Sequence, residues 1–378
     1  MKLFDVYPLF PIEPVKAMGS WLWDKQGQKY LDLYGGHAVI SIGHGHPHYV
    51  KALKDQLDKI AFYSNSVKNS LQEKLSEKLG QLSGYPDYQL FLCNSGAEAN
   101  ENALKLASFL TGRKKVIAFR KSFHGRTSGA VAATDNPKIV APFNAGHDII
   151  FLPFNDEPAF TDAIGTDIAA VIIEGIQGVG GIRVPTDSFL QHLAKKCKAA
   201  GALLILDEVQ SGYGRTGKFF AHQFTSVKPD LITVAKGMGN GFPVGGLLIH
   251  PDIQPWSGML GTTFGGNYLA CAASLAVLEV IEQENLMSNA LKLGDYWKEQ
   301  LSAFPSIVEV RGRGLMIGFD LPESKSALRK DLLFKHHMFT GDAKPNTIRL
   351  LPSLALKKEE AELFIEALMV ELNQRVVA

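Results

Sequence analysis

Ala202-Leu-Leu-Ile-Leu-Asp-Glu-Val-Gln-Ser-Gly-Tyr-Gly-Arg215, followed by Leu231-Ile-Thr-Val-Ala-Lys-Gly237, decides the fold. Each stretch opens as a short apolar run. The first run ends at Asp207 and the second at Lys236. Runs of this kind are strands buried on both faces, as in a parallel sheet. Open α/β sheets place ligands beyond the carboxyl ends of their strands. The spacing therefore predicts that Asp207 and Lys236 face one crevice from neighbouring strand ends.

Working outward, similar runs begin at Gln89, Lys115, Asp148, Ala169 and Val244. Helical patterns such as Ala97–Leu110 and Ser188–Ala200 lie between several of them. The alternation predicts an α/β fold, with a mainly parallel seven-stranded sheet and helices on both faces. The ends of the chain differ. Ser20–Leu33 reads as a hairpin turning at Gln26-Gly27. After Asn267 come two helices, a pair of strands and a final helix from about Lys357 to Asn373. Residues 46–266 are expected to form the large domain. Residues 1–45 and 267–378 are expected to combine as a smaller α+β domain.

The 378-residue chain has a formal net charge of +1. That balance gives no electrostatic case for nucleic acid or an anionic membrane as partner. No apolar run reaches the ~18 residues of a membrane span. Three scattered cysteines, Cys93, Cys197 and Cys271, form neither a disulfide framework nor a zinc pattern. The expected compartment is the cytoplasm.

A carboxylate and an amine in one crevice suit a cofactor with a basic ring nitrogen and an aldehyde. Pyridoxal phosphate (PLP) has both. Asn94-Ser-Gly-Ala-Glu-Ala-Asn100 adds a helix start with Ser95 as N-cap and Glu98 completing a capping box. Such a start attracts anions, and Gly96 lets a phosphate approach the backbone. Alone it is a cap; beside the Asp207–Lys236 pair it reads as a phosphate cradle. In Ser122-Phe-His-Gly-Arg126, Phe123 can stack on a flat ring and Arg126 can grip a carboxylate. In the loop Leu260–Asn267, Thr262 and Thr263 are either phosphate ligands or turn residues. Arg349 stands inside the apolar Ile348–Pro352, so it needs a partner, either a substrate carboxylate or a structural ion pair. The histidines of Gly43-His-Gly-His-Pro-His48 read as a structured loop, because Gly45 and Pro47 break a strand. No metal site is expected.

These stretches resemble the class III aminotransferases of PLP fold type I. The chain looks most similar to the acetylornithine, succinylornithine and ornithine group, above all the N-acetylornithine members. The resemblance spans nearly the whole chain. It also rests on Glu174-Gly-Ile-Gln-Gly178, Asp207–Gly217, Lys236-Gly237, Gly261–Asn267, Arg313-Gly314 and Ile348-Arg349.

The resemblance implies PLP bound to Lys236, with Asp207 on the ring nitrogen and Gln210 on the ring hydroxyl. Phe123 and Val209 would flank the ring. Ser95, Gly96 and Ala97 would take the phosphate. Thr263 would reach the phosphate of a neighbouring subunit, making a homodimer with shared sites. Arg126 and Arg349 would hold substrate carboxylates, with Glu174 also near the substrate. The implied reaction moves the δ-amino group of an N-acylated ornithine to 2-oxoglutarate. Alternatives are ornithine or 4-aminobutyrate aminotransferase, a PLP-dependent aminomutase, or an inactive PLP-binding regulator. The chain departs from the resemblance at Val179, where a glutamate is usual, and at Gly175, where a proline is usual. Val67 and Lys68 stand where aromatic side chains commonly line the entrance. An acyl tail with its own negative charge would suit those changes.

Overall fold

The structure, a computed structural model, describes residues 1–372. The hairpin near the start turns at Gln26-Gly27 as its sequence predicts. Strand β1 (Pro14–Met18) precedes β2 (Trp21–Asp24) and β3 (Lys29–Asp32). Asp24 shapes the turn by accepting the N–H groups of Gln26 and Gln28, each at 2.9 Å.

The central sheet comprises β4 (Gln89–Cys93), β5 (Lys115–Phe119), β6 (Ile149–Leu152), β7 (Ile168–Glu174), β8 (Leu203–Asp207), β9 (Leu231–Val234) and β10 (Gly245–Ile249). Their order is β4-β10-β9-β8-β7-β5-β6. Strands β6, β5, β7, β8 and β9 are mutually parallel. Strand β10 runs antiparallel to both β9 and β4.

Successive side chains point to opposite faces of a strand, and here both faces are apolar. Phe119, Ile173, Leu204 and Leu206 pack with Phe160, Phe189 and Leu193 of the helices Glu157–Ala163 and Asp187–Ala200. Ala118, Ile172, Ile205 and Leu231 pack the other way, with Ala103, Leu106 and Ala107 of the helix Gly96–Thr111. Every residue of β7 is buried. Each large apolar side chain so buried stabilises the fold by about 1.5–3 kcal/mol.

The last third adds β11 (Glu309–Arg313), β12 (Met316–Asp320), β13 (Met338–Phe339), β14 (Gly341–Ala343) and β15 (Thr347–Leu350). Strand β13 joins β3, so the first and last parts of the chain share a sheet. The other four form the sheet β11-β12-β15-β14. Glu360 ties the ends again, accepting from Ser20 Oγ at 2.9 Å and Trp21 Nε1 at 2.7 Å. One core gathers Leu31, Val277, Trp297, Ile317, Leu350 and Phe364. The final helix covers Lys358–Leu372; the expected end at Asn373 lies outside the described residues.

Candidate active site

Register brings the chemistry together. Glu174 ends β7 directly beside Asp207, the end of β8, and Asp207 is paired with Thr233 of β9. Ala235 and Lys236 follow β9 immediately. Lys236 itself has a left-handed backbone, φ 43°, at the turn that leaves the sheet. Asp207, Lys236 and Glu174 all line one cavity of about 370 Å³. The volume is within the usual range for small-molecule sites.

Most of the remaining expected residues line the same cavity. These are Ser95, Gly96, Ala97, Phe123, Arg126, Val209 and Gln210. Ser95 caps its helix, with Oγ accepting the Glu98 N–H at 3.2 Å. The predicted reciprocal box is shifted, however. The Glu98 carboxylate accepts from the Asn94 N–H and amide, at 3.0 and 2.9 Å, rather than from Ser95 N–H. The reason is reach: Asn94 offers two donors to one oxygen. The first N–H groups of any helix lack intrahelical partners, so Gly96 and Ala97 present donors and the positive helix end to the cavity. A Cβ on Gly96 would lie 2.6 Å from Val209 Cγ1, so only glycine fits.

Asp207 is 4% exposed and tightly held. Its Oδ2 accepts from Asn100 Nδ2 at 2.8 Å and from His124 Nδ1 at 2.7 Å. Its Oδ1 accepts the Val209 N–H at 3.0 Å. Thr233 Oγ1 donates to Asn100 Oδ1 at 2.7 Å. Neither Asn100 nor His124 is marked out for a role by the sequence pattern. Buried polar atoms without partners remain at Gln210 Oε1 and His124 Nε2.

Electrostatics favour a reactive amine. Burial, helped by the Arg349 charge, holds the Lys236 pKa below the ordinary lysine value, while Asp207 and Glu174 pull the other way. Glu174 is pushed up to about 7 by burial, despite accepting the N–H groups of Phe123 and Gly178 at 3.0 Å each.

The two arginines differ. Arg126 is exposed on the cavity wall and has no ion pair or hydrogen bond among the described residues. Arg349 on β15 is buried and does not line the cavity. Its Nε donates to Asp342 O at 2.8 Å and Nη2 donates to the Tyr34 hydroxyl at 3.3 Å. No structural carboxylate pairs with it among the described residues. Val179 is exposed and lines the cavity, and Val67 is also exposed.

Thr263 is exposed and outside the cavity of its own chain. Thr262 serves its turn, accepting the Gly265 N–H at 3.1 Å. The histidine run holds no metal cluster: His44, His46 and His48 each bond a different carboxylate, Asp32, Glu284 and Glu279. Among the described residues no group of metal-binding side chains occurs.

The residues fit PLP. An acid for the ring nitrogen, an amine for the aldehyde, a helix start for the phosphate and the unpartnered Gln210 Oε1 for the ring hydroxyl border one space.

Comparison with known proteins agrees. The family model "Aminotransferase class-III" matches residues 5–372. An acetylornithine aminotransferase of Bacillus subtilis is 43% identical over 95% of this chain and 94% of its own length. One from Archaeoglobus fulgidus is 39% identical, covering 94% of each. The crystal structure of Toxoplasma gondii ornithine aminotransferase superposes with a TM-score of 0.90 at 27% identity, covering 97% of this chain and 91% of that one. An (S)-enantioselective ω-transaminase from Thermomicrobium roseum reaches a TM-score of 0.88 at 28% identity, covering 98% and 96%. A single family model spanning all three sheets, with relatives this similar over nearly their full length, places the chain among the class III aminotransferases, enzymes that depend on PLP.

Proposed function

We propose that the chain moves the δ-amino group of an N-acylated ornithine, acetylornithine or succinylornithine, to 2-oxoglutarate in arginine biosynthesis. The observation that carries this reading is the shared cavity of Asp207 and Lys236, with an unpaired Arg126 on its wall. The names of the relatives at 37–43% identity support the choice of donor.

PLP, when bound, supplies an electron sink for the charge left when a proton leaves the donor carbon. Lys236 holds the cofactor by its ε-nitrogen. Its ε-amine would also serve as the general base that takes the proton from that carbon. Burial suits it to this task, because an amine must be unprotonated to accept a proton. Asp207 keeps a proton on the ring nitrogen, steadied by Asn100 and His124. Ser95, Gly96 and Ala97 take the phosphate. Phe123 and Val209 flank the ring, and Gln210 meets its hydroxyl. Arg126 orients the donor's α-carboxylate and Arg349 a carboxylate of the keto acid. Glu174 borders the substrate.

A homodimer completes this proposal, with Thr263 serving the partner's phosphate site. Exposed Phe62 packs on exposed Phe264 of that loop and supports a second copy there. The Phe62 and Phe264 rings meet at 5.3 Å. We assign 46–266 to the large domain and the two ends to the small one. Three free, buried cysteines support a cytoplasmic setting.

The test is titration of the PLP-loaded protein with acylated ornithines, ornithine and 4-aminobutyrate, followed by 2-oxoglutarate. An acylated ornithine should discharge the cofactor absorbance most efficiently, and 2-oxoglutarate should restore it while glutamate forms. Preference for ornithine or 4-aminobutyrate would overturn the donor assignment. Turnover that needs no keto acid would point to an aminomutase instead.

A further inference from the structure

Lys236 leaves the central sheet in a conformation that a lysine does not hold by itself. Its φ of 43° is left-handed, and Asn240, at the far end of the turn, matches it at 46°. Between them lie Gly237, Met238 and Gly239, and glycine restrains the backbone least. A left-handed side-chain residue persists where its surroundings over-determine it. Within the turn, Met238 N–H donates to Ala235 O at 2.9 Å and Gly239 N–H to Lys236 O at 3.1 Å.

The rest of the hold comes from Ser41–Tyr49, which lies 190–199 residues earlier in the chain. Ser41 Oγ donates to Gly237 O at 2.7 Å. Asn240 Oδ1 accepts the N–H groups of Ser41 and Ile42, at 2.8 and 3.1 Å. Asn240 Nδ2 donates to Gly43 O at 2.9 Å. The Tyr49 hydroxyl donates to Gly239 O at 2.7 Å. All of these bonds are buried. The clamp is itself anchored: Ser41 O accepts the Leu354 N–H at 2.7 Å and Ser353 Oγ at 3.2 Å, just beyond β15. Removing the Ser41 hydroxyl would leave Gly237 O buried without that donor, and a buried carbonyl must find another partner. The turn would then rotate, and Lys236 with it.

Ser41 and Asn240 are 2% and 5% exposed, and neither lines the cavity. Lys236, at the start of the same turn, does line it. A hydroxyl and an amide are neutral, so they fix the turn without adding a charge to the site.

We propose that Ser41 and Asn240 are positioning residues for Lys236, clamping the turn that presents its amine to the cofactor cavity. The amine nitrogen bonds the cofactor's aldehyde carbon and one water leaves. An amine already held in place spares that step the entropy of finding its position. The proton taken from the donor carbon needs the same placement, and for this second part the inference rests on the transferase reading above.

The experiment uses Ser41→Ala, Asn240→Gly and the conservative Ser41→Thr. Glycine suits the left-handed backbone at position 240 and removes only the amide. Equilibrium dialysis of the cofactor-free full chain compares PLP with pyridoxine phosphate, which keeps the ring and phosphate but carries an alcohol in place of the aldehyde. The parent should prefer PLP. Ser41→Ala and Asn240→Gly should each cut that preference about tenfold, the scale of a buried hydrogen bond left unmade. Their affinity for pyridoxine phosphate should hold, and Ser41→Thr should keep the parent's preference. In single turnovers of the PLP-loaded variants with an acylated ornithine, cofactor discharge should slow about tenfold, with the donor concentration at half-saturation unchanged.

Melting temperature controls for folding at each position. Equal losses of affinity for both ligands would make the two residues general supports of the fold and overturn the proposal. An unmoved preference in folded variants would overturn it as well. If no amine discharges the cofactor in the parent, the transferase reading falls, while the dialysis comparison still decides the clamp.

Discussion

His124 Nδ1 lies 2.7 Å from Asp207 Oδ2, and both side chains are buried. The same oxygen accepts from Asn100. Two donors on one oxygen fix the orientation of the carboxylate. Replacing Asp207 with Asn should cut kcat by about 10²–10³-fold, the usual scale for a lost preorganised charge. His124→Asn should cost about tenfold or more, with the cofactor still covalently held. Equal activity in Asp207→Asn would remove the acid from the mechanism.

Glu174 makes stability depend on pH. Its folded pKa stands at about 7 against an ordinary 4.5. Between those values the folded chain holds a proton that the unfolded chain has lost, so stability falls as pH rises through that window. The loss reaches about 3 kcal/mol above pH 7. In cofactor-free protein, Glu174→Gln should therefore gain about that much on the parent between pH 5 and pH 8. Denaturant unfolding at the two pH values measures it. A pH-independent difference would contradict the assignment.

A Cβ at Gly178 would fall 1.7 Å from Gln210 Oε1, so Gly178→Ala must displace the Gln210 side chain. Cofactor retention should weaken by about tenfold, with cofactor-free stability nearly unchanged, because a flexible side chain can move. Equilibrium dialysis against PLP reads the first quantity and thermal unfolding the second.

Gly294 gives the opposite case. Its Cβ would meet Gly314 O at 2.1 Å, where the helix Leu286–Ser302 crosses the β11–β12 turn. Backbone cannot step aside as a side chain can. Gly294→Ala should destabilise the chain by about 1–3 kcal/mol, seen as a lowered Tm.

The parallel core was legible because two-sided burial writes itself as unbroken apolar runs, as in Ile168–Glu174. Asp207 and Lys236 were legible because each ends such a run. The direction of β10 was not, since Gly245–Ile249 has the same pattern either way along. His124 was also hidden. It stood in a conspicuous segment, but its partner lies 83 residues away and a buried polar network has no period. The Tyr34–Arg349 link was missed for the same reason, as it spans 315 residues. For Arg349, the sequence left a structural ion pair open; the described residues supply none.

The central claim is that Lys236 holds the cofactor opposite Asp207. Borohydride reduction of the PLP-loaded protein, followed by peptide mass mapping, tests it directly. The account predicts one pyridoxyl adduct per chain, on Lys236, and none in Lys236→Ala. An adduct on another lysine, or its persistence in that variant, would contradict it.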